Sequence, residues 1–178
     1  MTLLLLFAAC STDTAGTAGA SFRLFAGEPG RLYELRAPAA HDADTGSSDT
    51  GTAAPTDTAP AEATPSRWLR LAIDAWTLTE GPDADDSLAI ATWPLTAEDG
   101  LVVDGTRLLP TNILAGAAAD GATVRAVAPW ETRYGTFPEA AEVEVAEGAW
   151  AGTQVFAKGV GPVYLTIAGV PWEMVWYE

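Results

Sequence analysis

The chain has 178 residues, 48% of them hydrophobic, and a formal net charge of −15 at pH 7. These values predict one packed domain and exclude nucleic acid as a favoured partner, because an acidic protein repels a phosphate backbone. A single cysteine, Cys10, excludes an intramolecular disulfide. With a single histidine, His41, it also excludes zinc sites built from several Cys and His residues.

The start of the chain combines an apolar run with that cysteine. Residues 3–9 are apolar and end in two alanines, Cys10 follows, and a polar segment begins at Ser11. This arrangement resembles the lipobox of bacterial lipoproteins, in which a signal peptidase cuts before the cysteine and the cysteine carries lipid. The resemblance implies that residues 1–9 are a signal segment and that lipid on Cys10 holds the protein at a membrane.

The residue after the cysteine bears on which membrane that is. In lipoproteins of Gram-negative bacteria, Asp at this position commonly retains the protein at the inner membrane, whereas this chain has Ser11. The resemblance therefore implies a lipid-anchored protein of the cell envelope, at the outer membrane. Residues 3–9 are too few to span a bilayer, which takes about 20 apolar residues.

Two segments lack the apolar residues that a fold requires. Residues 10–20 are small or polar, and we interpret them as a flexible tether. Residues 37–66 are rich in Asp, Thr, Pro and Ala and contain no Val, Ile, Leu or aromatic residue. Such a segment cannot bury enough apolar area to offset the entropy of ordering it. We expect a β domain over residues 21–178, interrupted by a long disordered insertion at 37–66.

The first elements of the domain are predicted from alternation and turn residues. Residues 21–36 indicate two short strands around a turn at residues 27–30. Residues 68–78 alternate as one strand, with leucines on one face and Trp68 and Trp76 on the other.

Later segments continue the β pattern. Asp104-Gly105 indicates a tight hairpin, whereas residues 112–119 favour one or two turns of helix. Candidate strands recur at intervals of about 8–12 residues with Gly or Pro between them, which is typical of an antiparallel sheet. They are residues 88–93, 100–109, 124–128, 142–147, 150–157, 163–168 and 172–177. We therefore predict a mainly β fold with a single antiparallel curved sheet, either a half-barrel or a sandwich.

A second resemblance involves most of the domain. Residues 156–163 read Phe-Ala-Lys-Gly-Val-Gly-Pro-Val, and Phe22, Leu24 and Gly27 form a Phe-x-Leu-x-x-Gly start. This is similar to a group of secreted and lipid-anchored bacterial β proteins whose last strands carry aromatic-Ala-x-Gly-Val-Gly-x-Val. The resemblance implies a β fold and an envelope location, and no activity. We interpret the glycines of residues 156–163 as permitting a bulge or a sharp bend between two strands.

Candidate catalytic residues do not combine into a site. His41 lies in the low-complexity insertion, so a Ser-His-Asp triad has no anchored base. Lys158 is a nucleophile only where burial lowers its pKa, and we expect it to be exposed. Asp83, Asp85 and Asp86 match no complete EF-hand loop, and a solvated acidic turn is favoured over a calcium site. We therefore expect no enzyme activity, no catalytic or metal-binding residue and no cofactor.

The seven tryptophans are the remaining functional candidates. Trp68, Trp76, Trp150 and Trp172 are predicted ligand-binding residues, because surplus aromatic side chains line apolar and sugar sites; the alternative is that they fill the core. We expect a lipid-anchored structural or protein-interaction module of the envelope, with an envelope protein as partner. The alternative is a carrier that holds an apolar or glycan ligand on a Trp-lined sheet face. A filled core favours the module, and a Trp-lined cavity favours the carrier.

Overall fold

The structure is a computed structural model that describes residues 20–36 and 66–177. Apart from a 3-10 turn at Phe22–Leu24, the regular elements of this part of the chain are strands. The strands are β1 (Ala20–Ser21), β2 (Leu32–Arg36), β3 (Ser66–Leu71), β4 (Ala75–Gly81), β5 (Leu88–Thr96), β6 (Gly100–Val103), β7 (Thr106–Pro110), β8 (Asn112–Ile113), β9 (Ala118–Ala119), β10 (Ala122–Thr132), β11 (Gly135–Val145), β12 (Gly152–Ala157), β13 (Gly161–Ile167) and β14 (Val170–Tyr177). The predicted mainly β class is confirmed. The described ranges contain no helix with the length and apolarity needed to cross a membrane.

Twelve of these strands form one antiparallel sheet, in the order β7-β6-β5-β4-β3-β2-β14-β13-β12-β11-β10-β9. Neighbours in the sheet are mostly neighbours in sequence, but β2 lies between β3 and β14, so the two ends of the domain meet in the sheet. The end strand β7 contacts β10 and β11, which makes the sheet curved and nearly closed. Accumulated strand twist accounts for this curvature. The predicted antiparallel curved sheet is confirmed, and beside it β1 and β8 pair as a separate two-stranded sheet.

The predictions for residues 1–9, for Cys10 and for most of the tether and the insertion lie outside the described residues. At the margins, Ala20, which was predicted as the last residue of the tether, belongs to β1, and Ser66, predicted as the last residue of the insertion, begins β3.

The prediction that residues 68–78 form one strand is wrong. They divide into β3 and β4, joined by a turn in which the amide of Ala72 donates to the carbonyl of Ala75. Trp76 pairs with Leu71 and shares its face, whereas Trp68 pairs with Thr79 on the opposite face. The turn contains neither Gly nor Pro, so the alternation ran through it unbroken. The predicted placement of Trp76 on the same face as Trp68 is therefore wrong.

Three further local predictions concern turns and short elements. The predicted hairpin at Asp104-Gly105 is confirmed, with both residues at positive φ as a tight two-residue turn requires. The predicted helix at residues 112–119 is wrong, because this segment forms β8 and β9. Its backbone is instead bonded to the start of β10, where the Gly116 amide donates to the carbonyl of Val124. The predicted strand at the start of the domain is also wrong, since residues 22–24 form the 3-10 turn.

The core lies inside the curved sheet. Its largest fully buried side chains are Phe25, Tyr33, Leu69, Trp76, Leu101, Leu108, Leu109, Trp150, Gln154, Phe156, Leu165 and Met174. A second cluster covers the opposite face of β12 and its neighbours, where Val155, Ala157 and Val163 pack with Trp130 and Phe137. Strand β12 is therefore covered on both faces, which explains its continuous run of buried residues.

Residues 20–31, here called the cap segment, cross one end of the sheet. The amide of Phe22 donates to the carbonyl of Thr111, and the amide of Gly30 donates to the carbonyl of Leu71. In the other direction, the amide of Gly159 donates to the carbonyl of Leu24. These three bonds tie the cap segment to the loop after β7, to the end of β3 and to the β12–β13 turn. One short segment thus joins parts of the sheet that are far apart in sequence.

The closest approach of the cap segment to the sheet requires two glycines. Gly27 and Gly161 both have positive φ, and a Cβ on Gly161 would lie 2.8 Å from the Gly27 Cα and 2.8 Å from the Tyr33 Oη. Side chains at either glycine would separate the two segments. Gly159 and Gly161 lie in the bend between β12 and β13, which confirms their predicted structural use.

Tyr33 stabilises the contact between the cap segment and the β12–β13 bend. It is fully buried, and its hydroxyl donates to the carbonyl of Val160 at 2.5 Å, beside a second bond to that carbonyl from Arg31. Burial raises the pKa of Tyr33 to about 12, because the phenolate would be desolvated. The neutral hydroxyl is therefore part of the folded state.

We predict that Tyr33 makes stability depend on alkaline pH. The pKa of Tyr33 is higher in the folded chain than in the unfolded chain, so its contribution to the free energy of unfolding is complete below about pH 10. Between about pH 10 and 12 the phenol ionises first in the unfolded chain, and up to about 2–3 kcal/mol of that free energy is lost. Tyr33→Phe should cost about 1 kcal/mol at pH 7 by removing the hydrogen bond, and should flatten this alkaline loss. Denaturant unfolding of both proteins across pH 7–12 measures it; parallel curves for the two proteins would contradict the assignment.

Candidate functional site

Two of the predicted ligand-binding tryptophans meet in the core. The rings of Trp76 and Trp150 lie 5.8 Å apart at 77°, and Trp93 packs against Trp150 at 5.0 Å and 67°. Trp76 and Trp150 are 1% and 0% exposed. These three residues, here called the tryptophan cluster, pack edge to face, an arrangement that aromatic pairs favour. They fill space between β4, β5 and the loop before β12.

The other two predicted residues lie elsewhere. Trp68 is buried on the opposite face of the sheet from Trp76. Trp172 is half-buried, with the guanidinium of Arg67 5.0 Å from its ring centroid and Arg67 paired with Glu80 at 2.7 Å. The four predicted residues therefore do not line one site. Trp93 is one of the seven candidate tryptophans but not one of the four predicted ligand-binding residues, although the spacing of Ala91, Trp93 and Leu95 along β5 matches one strand face.

A buried glutamine fixes the position of Trp150. The Gln154 amide nitrogen donates to the carbonyls of Trp150 at 2.7 Å and Thr166 at 3.0 Å, and its oxygen accepts from the Thr166 amide at 3.1 Å. Gln154 is fully buried, so these bonds offset the cost of removing its amide from water. This network connects the tryptophan cluster to the backbones of β12 and β13.

Other residues singled out from the sequence have ordinary structural partners. Lys158 is half-exposed and forms an ion pair with Glu139 at 2.7 Å. The carboxylate of Asp83 accepts hydrogen bonds from the amides of Asp85 and Asp86, so this turn is bonded within itself. Within residues 20–36 and 66–177, no three His, Cys, Asp or Glu side chains are grouped as a metal site requires. His41 lies outside those ranges.

An apolar cleft opens beside Trp76. It has a volume of about 260 Å³ and lies between the cap segment, the β3–β4 turn and the β5–β6 region. Its lining includes Phe22, Leu71, Trp76 and Leu101, and one charged residue, Arg23. We call this feature the cap cleft. Only one member of the tryptophan cluster reaches it.

Strand β5 has an edge without a second neighbour in the described part of the chain. Leu95 and Thr96 pair with β6, but residues 88–93, here called the open edge, pair only with β4. Leu88 and Ile90 are 77% and 50% exposed. The open edge contains no charged residue, so it presents backbone donors and acceptors between apolar side chains.

Carboxylates lie at both ends of the open edge. The exposed Asp83, Asp85 and Asp86 precede it in the β4–β5 loop. Beyond its other end, the amide of the exposed Asp104 donates to the carbonyl of Pro94 at 2.8 Å. Negative charge therefore lies close to both ends of the open edge.

Comparisons with protein-family models, with curated proteins and with solved structures find no match for this chain.

We predict that the tryptophan cluster contributes mainly to stability. Trp150→Ala should lower the free energy of unfolding by about 3–5 kcal/mol, because it leaves a cavity against Trp76 and Trp93. The half-buried Trp172→Ala is the matched control and should cost less than half as much. Denaturant unfolding of the purified variants measures both. Equal losses would contradict the assignment of the cluster as the packing centre.

Proposed function

We propose that this chain is a non-catalytic, lipid-anchored envelope protein that binds a protein partner by strand addition at the open edge. The observation that carries the proposal is the uncharged and largely exposed stretch of β5 at residues 88–93, which pairs with β4 on one side and has no strand neighbour on the other side among the described residues. A peptide in extended conformation satisfies such an edge with main-chain hydrogen bonds, and its alternate side chains supply specificity.

A comparison within the sheet supports the choice of β5. Strand β10 also extends beyond its short neighbour β9, which pairs only with Ala122 and Thr123. The remainder of β10 carries Arg125, Pro129 and Glu131 and is interrupted by two register shifts. Charges, proline and bulges are the devices that protect strand edges from pairing. The open edge of β5 has one bulge, at Ile90, and no charge.

The charges around the open edge define the partner's chemistry. Acidic residues lie at both ends of it, and the whole chain has a formal net charge of −15. An acidic partner or a second copy of this chain is therefore disfavoured, and an extended segment with basic residues at its ends is favoured. On the face of the sheet opposite Trp76, Thr92 pairs with Thr77 of β4, and Thr77 pairs with Arg70 of β3. Arg70 therefore lies two strands away from the open edge.

The tryptophan cluster also favours an interaction module over a carrier. Trp76 and Trp150 are buried and pack with Trp93, so these three rings are in contact with one another and do not line an open sheet face. The cap cleft is the candidate site for an apolar ligand. Its lining has fewer polar groups than the recognition of a glycan requires.

Strand addition is tested with synthetic peptides and the full chain. We expect a peptide of alternating valine and threonine with lysine at both ends to bind, and the same peptide with glutamate at both ends to bind at least tenfold more weakly at low salt. Amide chemical shifts from NMR should change at residues 88–93. Binding that is equal for the two peptides, shifts confined to other strands, or no binding would each overturn the proposal.

Matched isoleucine variants supply the control for that experiment. Ile90→Lys places a positive charge on the open edge and should weaken binding of the lysine peptide about tenfold. Ile73→Lys adds the same charge at an isoleucine that is 78% exposed on the β3–β4 turn, and should leave binding unchanged. Equal effects of the two substitutions would show that net charge, and not the edge, determines affinity.

The membrane anchor is tested separately. In a bacterial host, Cys10→Ala should move the protein from the membrane fraction to the soluble periplasm, whereas Ser11→Ala should leave it at the membrane. Mass spectrometry of the N-terminal peptide of the unsubstituted protein should show a lipid mass on Cys10. A Cys10→Ala protein that stays with the membrane would refute lipid anchoring.

A further inference from the structure

The cap cleft combines an apolar lining with a single cationic side chain. Leu71, Trp76 and Leu101 form its inner wall, and all three are buried core residues. Ile73 lies at its entrance and is 78% exposed. An isoleucine that exposed gains free energy when an apolar group covers it.

Arg23 is held at the entrance of the cleft by two contacts. Its guanidinium lies 5.5 Å from the centroid of the Phe22 ring, and its Nη2 donates to the carbonyl of Ala97 at 3.2 Å. Both contacts are to uncharged groups. A guanidinium has five N–H donors, so a carboxylate can still be bound in the forked geometry that arginine favours.

We infer that the cap cleft binds a small apolar carboxylate, with its hydrocarbon chain against Trp76 and Leu101 and its carboxylate on Arg23. This ligand site goes beyond the proposed partner binding and does not involve the open edge. The volume of about 260 Å³ is slightly below the usual range for drug-sized ligands, which suits a single short or medium acyl chain.

The other charges nearby restrict the ligand to a compact anion. Glu98 and Asp99 follow Ala97 in the same turn and are exposed, but neither lines the cleft. Because these carboxylates repel additional negative charge, a ligand with one carboxylate is favoured over a multiply charged phosphate. A glycan is disfavoured because a sugar buries hydroxyl groups that need several polar partners.

Binding is tested on the full chain with hexanoate, octanoate and decanoate, by titration calorimetry and by tryptophan fluorescence. We expect affinity to rise roughly fourfold for each methylene group buried. Decanol should bind more weakly than decanoate, and decyltrimethylammonium should bind most weakly. No detectable binding of decanoate, or tighter binding of the ammonium compound, would overturn the inference.

Substitutions locate the ligand. Arg23→Gln should weaken decanoate binding about tenfold and leave decanol binding unchanged, since glutamine is polar but carries no positive charge for the carboxylate. Ile73→Asp should weaken decanoate at least tenfold, whereas the matched Ile90→Asp on the open edge should not. Thermal unfolding checks that each variant is folded.

The readouts separate this site from the partner surface. If Ile73→Asp and Ile90→Asp affect decanoate equally, the ligand does not lie in the cap cleft and the inference is wrong. If Arg23→Gln weakens decanol as much as decanoate, Arg23 does not recognise the carboxylate and the inference is also wrong. Failure of peptide binding at the open edge leaves these measurements unaffected.

Discussion

The contact between the cap segment and the β12–β13 bend is the constraint on which the rest of the structure depends. Gly27 and Gly161 approach each other without side chains, and the hydroxyl of Tyr33 is bonded to the carbonyl of Val160 beside them. The cap segment is also bonded to the end of β3 and to the loop after β7. It therefore holds in place strands that no short turn connects, and it covers one end of the core.

The tryptophan cluster occupies the interior that this closure creates. Trp76 and Trp93 come from adjacent strands, Trp150 comes from a distant loop, and Gln154 fixes that loop to the sheet. Because the rings pack on one another, the tryptophan cluster fills its part of the interior, and the proposed binding features lie outside it. The cap cleft lies where the cap segment meets the sheet, and the open edge lies where β6 is too short to cover β5.

Local pattern predicted the type of structure better than its arrangement. Alternating residues predicted most strands, and Asp104-Gly105 predicted its hairpin because two residues at positive φ have few sequence solutions. The β3–β4 turn has no such signal. Because the sequence does not indicate this turn, Trp76 is predicted on the wrong face of the sheet. The candidate site was predicted only as a residue type. Trp76 and Trp150 do meet, but the sequence did not predict that Trp93 packs with them, nor the roles of Arg23 and the open edge.

The sequence by itself determined the β class, the single antiparallel sheet and the acidic surface, because side-chain alternation and charge are local properties of the chain. Only the tertiary structure decided that β2 pairs with β14, that the cap segment crosses the sheet, and which residues of β5 have no second neighbour. These features depend on which distant segments meet. Pairing between distant strands is set by the packing of the whole core and by strand length, and neither is encoded within one stretch of sequence.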